Sequence, residues 1–190
     1  MQKQLLNSRQ RATAAGILIL VAYGVIISSV TDSKIIVMFA DVVSGLAVIG
    51  IAALLFALFR TAKYKLSLAY LSLKAAEGSI MILGGIVFLF DALQPLRETL
   101  YEDVHLYVFI FSGFLLYYLL YVTRIVPGYI SVWGTIGISA LLLKAILNLA
   151  GLTYSMLDFL LLIIVTNEIY LAIWLMVKGF NQSEIGPDKT

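Results

Sequence analysis

Six long apolar stretches run along this chain, at about 14–30, 35–59, 66–90, 104–122, 129–149 and 156–177. Each is near the ~20 residues a helix needs to cross a hydrocarbon core of ~30 Å. Lipid cannot satisfy the free polar edge of an open sheet, so helices are required. Short interruptions carry turn chemistry: TDSK at 31–34, TAKYK at 61–65, IVPG at 125–128 and AGLT at 150–153. Pro127 suits the start of the fifth helix, where its missing N–H costs little. The widest interruption, 91–103, holds Pro95, Asp91, Glu98, Glu102 and Asp103 and reads as a loop. The pattern predicts an all-α, polytopic membrane protein: a six-transmembrane-helix bundle forming a single transmembrane domain over 1–190.

Composition strengthens this. Of 190 residues, 62% are hydrophobic and 13% charged, against ~25% charged in a soluble domain; the mean hydropathy is +1.01. Cysteine is absent and there is one histidine, which excludes disulfides, thiolate sites, histidine-rich metal clusters and haem held by paired histidines. Lys3, Arg9 and Arg11 precede the first apolar run like the basic start of a signal peptide. That run is longer than such a segment's apolar core, and no A-x-A-like site follows it, so it is expected to stay as a span.

Charge placement predicts orientation. With the N-terminus inside, the inner side holds Lys3, Arg9, Arg11, Arg60, Lys63, Lys65, Arg124, Lys178 and Lys189. The outer side holds only Lys34 and Arg97. This positive-inside asymmetry puts both termini in the cytoplasm. Trp133 and Trp174 then fall at the inner headgroup level. Membrane lipids are the expected surroundings.

Asp41, Lys74, Glu77, Lys144, Asp158 and Glu168 fall within spans. A charge at mid-helix costs about 2.5–3.5 kcal/mol on insertion scales, so such groups are expected to face the bundle interior and pair. Helical spacing puts Ser67, Tyr70, Lys74, Glu77, Met81 and Gly84 on one stripe of the third span. Gly134, Gly137, Leu141, Lys144 and Asn148 do the same on the fifth span, and Asp158, Leu161, Val165 and Glu168 on the sixth. Residue counting puts Lys74 with Glu77 or Glu168 in an inner layer. Asp41, Lys144, Asn148 and Asp158 fall in an outer layer near His105. Tyr70 and Asn167 join the candidate ligand-binding set, giving Lys74, Glu77, Glu168, Tyr70, Asn167, Asp41, Lys144 and Asp158. Tyr117, Tyr121 and Tyr170 could line the same cavity, although tyrosines at helical spacing more often serve packing.

Three functions fit such charges: a polar site that binds or transports a small molecule, ion or proton; ion pairs that only hold helices in register; and an intramembrane enzyme acting on lipid. No catalytic motif supports the third. G-x-x-x-x-G-K-[ST], G-x-G-x-x-G, H-E-x-x-H and G-x-S-x-G are all absent, so no cofactor, metal or catalytic residue is expected. Basic residues are not interleaved with aromatics, which argues against nucleic acid. Arg60, Lys63 and Lys65 fit anionic headgroups. Oligomeric state is not written in the pattern.

LAYLSLKAAEG at 68–78, RIVPGYISVWGTIG at 124–137 and EIYLAIWLMVKGFN at 168–181 resemble a family of small bacterial membrane proteins, the domain-of-unknown-function family 4386. The resemblance follows the helix order over nearly the whole chain. It departs at Lys74, where the family pattern suggests arginine; lysine, unlike arginine, can lose its proton when buried. The resemblance implies a multi-pass protein of the bacterial inner membrane and carries no activity with it.

Overall fold

The computed structural model describes residues 2–31, 33–152 and 158–181. Among these the protein is helical throughout, with no strand. Its α-helices are α1 (Gln2–Ala22), α2 (Lys34–Val87), α3 (Gln94–Thr99), α4 (Leu106–Thr123), α5 (Gly128–Leu149) and α6 (Asp158–Val177). Among the described residues, four helical runs are long and apolar enough to cross a membrane: Lys34–Val87, Asp91–Thr123, Gly128–Leu149 and Asp158–Val177. Large apolar side chains stand exposed on them, among them Phe39 (64%) and Phe159 (68%). Exposed apolar surface on this scale suits contact with lipid.

Two expected loops are helical. The TAKYK interruption lies inside the 54-residue α2, whose single non-helical residue is Lys63 (φ −147°, ψ 72°). Lys63 divides α2 into two arms that fold back on each other. Phe59 packs edge-on to Tyr70 at 6.1 Å, and Gly45 lies against Gly78. The 91–103 interruption is a 3-10 turn (Asp91–Leu93), then α3, then a π-helical turn (Leu100–His105) that runs into α4. Pro95 sits in the first turn of α3, where a missing N–H is harmless. Another 3-10 turn, Tyr23–Ser29, extends α1. Pro127 immediately precedes α5, as expected. Asp32, in the first interruption, and Thr153–Leu157, at the start of the sixth, lie outside the described residues.

The chain divides into two compact units, 17–112 and the combination of 1–16 with 113–190. In the first, the hairpin of α2 is held by small residues. A Cβ added at Gly45 would fall 2.5 Å from the Gly78 carbonyl oxygen, so the arms approach at backbone distance. Association of helices in lipid relies on such close packing, because tails are as apolar as leucine. The buried stripe Ser67, Tyr70, Lys74, Glu77, Met81 and Gly84 is the one expected from spacing.

In the second unit, α5 and α6 pack antiparallel, with Gly137 against Ile164 and Gly16 of α1 against Ala172. On α5, Gly134, Gly137 and Leu141 are buried as expected, whereas Asn148 is exposed. On α6 the expected stripe is corrected. The buried residues are Ile164, Asn167, Leu171, Ala172 and Leu175, while Asp158 and Leu161 are exposed. α6 is apolar on all sides, so its two acids alone suggested a direction, and they do not mark its packed face.

Candidate functional site

Lys74 and Glu77 are one turn apart on the second arm of α2, so their side chains leave the same face. Lys74 Nζ lies 2.9 Å from Glu77 Oε1. The pair is 7% and 2% exposed. Ser112 on α4 donates a 2.8 Å hydrogen bond to the other oxygen, Oε2. Phe109, one turn earlier on α4, lies under the ammonium, 4.9 Å from ring centre to Nζ. His105 stacks on Phe109 at 6.4 Å and lies within electrostatic reach of Glu77 and Lys74. A carboxylate with two donors, a cation over a ring and an imidazole nearby thus form one buried polar cluster within the first unit.

The π-helical turn extends the line of side chains. Arg97, Tyr101, His105 and Phe109 recur every fourth residue. Tyr101 and His105 are 5.4 Å apart between ring centres. The Arg97 guanidinium lies between Phe88 at 4.6 Å and Tyr101 at 4.8 Å. Its Nη2 is 3.1 Å from Oδ2 of Asp41, and Asp41 is wholly buried. π-helical turns recur at functional sites because they re-aim side chains.

The expected set is therefore divided. Lys74 and Glu77 come together. Tyr70 is fully buried one turn away, against Phe59. The expected outer layer splits into two separate pairs: Asp41 with Arg97, and Lys144 with Asp158 at 2.7 Å. Asp158 is 70% exposed in that pair, so it is a surface contact rather than part of a closed cavity. Asn167 is buried and donates to the Ile130 carbonyl at 3.0 Å. Glu168 is half-buried on α6. Tyr121 is 57% exposed. Tyr170 joins an aromatic group with Tyr129, Trp133 and Trp174, its hydroxyl 2.7 Å from that of Tyr129. Spacing alone missed Arg97, Tyr101, Phe109 and Ser112. A four-residue repeat from Arg97 to Phe109 carries three of them, a signal visible only when 91–103 is helical.

A model of a domain of unknown function, DUF4386, matches residues 14–179. The chain belongs to this family. No curated protein and no solved structure matches it. The three stretches that resemble the family each make a structural contact. In the first, Gly78 forms the close crossing of α2 and Lys74 pairs with Glu77. The second and third meet each other. The side-chain amide of Asn181 donates to the Arg124 carbonyl at 2.8 Å, and its backbone N–H donates to the Ile125 carbonyl at 2.8 Å. Gly179 supplies the positive φ of 78° that ends α6. Arg9 donates to the Val177 carbonyl at 2.8 Å, placing a cation at the negative end of that helix.

Proposed function

We propose that this family member is a multi-pass protein of the bacterial inner membrane whose Lys74–Glu77–Ser112 cluster binds a small ligand within the bilayer. Six spans are supported by the two arms of α2, each longer than the ~20 residues that a crossing needs, together with α1 and its 3-10 extension. Cytoplasmic termini are supported by the lysine and arginine asymmetry. Of the small molecules, ions or protons such a cluster could take, its short distances favour a proton or a small cation. The carrying observation is a carboxylate, 2% exposed, with a lysine and a serine on its two oxygens. Ionisable groups at such depth mark ion and proton pathways more often than chance packing.

The experiment is thermal unfolding of purified wild type and Glu77→Gln in detergent. The probes are pH and replacement of choline by Na+ or K+ at constant ionic strength. The wild-type midpoint should respond to pH or to one cation, and Glu77→Gln should lose that response. Superimposable curves for the two proteins would overturn the proposal.

A second reading, a purely structural pair, is favoured by one observation: both oxygens of Glu77 already have protein partners. It predicts that replacing Lys74 and Glu77 together by methionine leaves a folded and fully working protein.

A further inference from the structure

α4 and α6 end side by side, and each is followed by a residue in the left-handed backbone region. Gly179 lies just after α6 at φ 78°, and Arg124 just after α4 at φ 51°. Glycine adopts that region without strain, whereas a Cβ makes it costly. Arg124 is the one non-glycine residue with positive φ among the described residues. Its N–H donates to the Leu120 carbonyl at 3.0 Å, and its own carbonyl accepts from the Asn181 amide at 2.8 Å. Strain held this firmly, at a position where glycine would relieve it, points to a use for the side chain.

Arg124 is exposed, and so are Lys178 and Arg9. Arg9 of α1 donates to the Val177 and Lys178 carbonyls at 2.8 and 3.5 Å. Asn181, three residues beyond Lys178, bonds the carbonyls of Arg124 and Ile125. Three cations thus gather at one end of the second unit. Lys34, Lys74, Arg97 and Lys144 each have a carboxylate oxygen within 3.1 Å, whereas among the described residues Arg9, Arg124 and Lys178 have none. Tyr129, Trp133, Tyr170 and Trp174 form a continuous aromatic patch beside them, with ring centres 5.7–6.3 Å apart. Trp174 is one turn before Lys178 and accepts its N–H at 2.7 Å. Tryptophan and tyrosine favour the headgroup level of a bilayer, which puts the cations at the depth of lipid phosphates.

We propose that this end of the protein binds the phosphate of an anionic lipid headgroup, with Arg124 and Lys178 as its donors. A guanidinium matches two phosphate oxygens at once, and an ammonium adds a point charge. Clustered cations at the membrane surface attract anionic lipid in preference to zwitterionic lipid. Arg9 spends its two terminal nitrogens on the carbonyls that close α6, so it holds Lys178 in place. A headgroup docks from the bilayer surface and needs no enclosed pocket. Inorganic phosphate offers the same oxygens; the aromatic patch favours a lipid, whose acyl chains run along it. The proposal rests on the chain's place in a membrane and not on the ligand proposed for Lys74–Glu77–Ser112.

The test uses tryptophan fluorescence, because the two tryptophans of the chain, Trp133 and Trp174, both lie in the aromatic patch. The full chain is reconstituted in phosphatidylcholine bilayers containing either brominated phosphatidylglycerol or brominated phosphatidylcholine at equal mole fraction. Quenching of the wild type should show several-fold stronger binding of phosphatidylglycerol. Arg124→Gly removes the guanidinium and relaxes the backbone, so it should unfold no more easily than wild type and yet lose most of that preference. Should it fail to fold, Lys178→Gln takes its place. Arg60→Gln removes the same charge elsewhere and should keep the preference. Equal quenching of the wild type by the two brominated lipids, or an Arg124→Gly variant as selective as wild type, would overturn the proposal. An equal loss in Arg60→Gln would reduce it to diffuse surface charge and overturn it too. Abolition of the preference by inorganic phosphate at constant ionic strength would assign the site to the free ion instead of the lipid.

Discussion

Ser112 donates a 2.8 Å hydrogen bond to Oε2 of Glu77, the oxygen that Lys74 leaves free. The carboxylate is thereby tied to its own helix on one side and to α4 on the other. Ser112→Ala leaves a buried, charged acceptor half-satisfied. The expected cost is about 1–2 kcal/mol, read as a lower midpoint when unfolding is driven by rising dodecyl sulfate in mixed micelles. Ser112→Thr keeps the hydroxyl and should recover most of the loss.

Lys74 and Glu77 should show strong coupling in the same assay. Lys74→Met alone strands a buried carboxylate and should cost about 3–5 kcal/mol. The double replacement by methionine removes both charges and should cost far less than the sum of the two single changes. Additive costs would show that the two groups do not meet.

The arms of α2 cross at glycine. An alanine methyl at position 78 would fall 2.5 Å from the Gly45 carbonyl oxygen and 2.6 Å from Ile49. Backbone cannot yield there as a flexible side chain can, so Gly78→Ala should destabilise by about 1–3 kcal/mol. Gly128 has no neighbour within 4 Å of its virtual methyl, so Gly128→Ala is the matched control and should leave the midpoint unchanged.

Asn181 fastens the end of α6 to the turn before α5. Asn181→Ala removes the bond to the Arg124 carbonyl and should cost about 0.5–1.5 kcal/mol. Limited proteolysis near Arg124 should accelerate in the same variant. Gly179→Ala, at φ 78°, should cost about 1–2 kcal/mol through backbone conformation alone.

Much of this was legible from periodicity. The buried stripe from Ser67 to Gly84 follows from 3–4 spacing, because polar and small residues there contrast with apolar neighbours. The Lys74–Glu77 pair follows from one turn of helix. Arg97 was not legible as the partner of Asp41. Proline and charge made its segment look like a loop, and only a continuous helical path through the π turn aligns it with Tyr101 and Phe109. The reversal at 61–65 was legible from its polar-leaning residues; what was not legible is that a single non-helical residue, Lys63, makes it. On α6 the expected stripe ran through Glu168, whereas Asn167, in the candidate set beside it, is the one on the buried face; charge alone was a poor guide to the packed side.

The proposed function makes Glu77 the carboxylate that binds a proton or a small cation within the bilayer. Infrared difference spectroscopy of the protein in lipid bilayers, stepped between acid and alkaline buffer, addresses it directly. The account predicts a reversible protonated-carboxyl C=O band that disappears in Glu77→Gln and persists in Asp158→Asn. A band unaffected by Glu77→Gln, or no protonated-carboxyl band at any pH at which the protein stays folded, would contradict it.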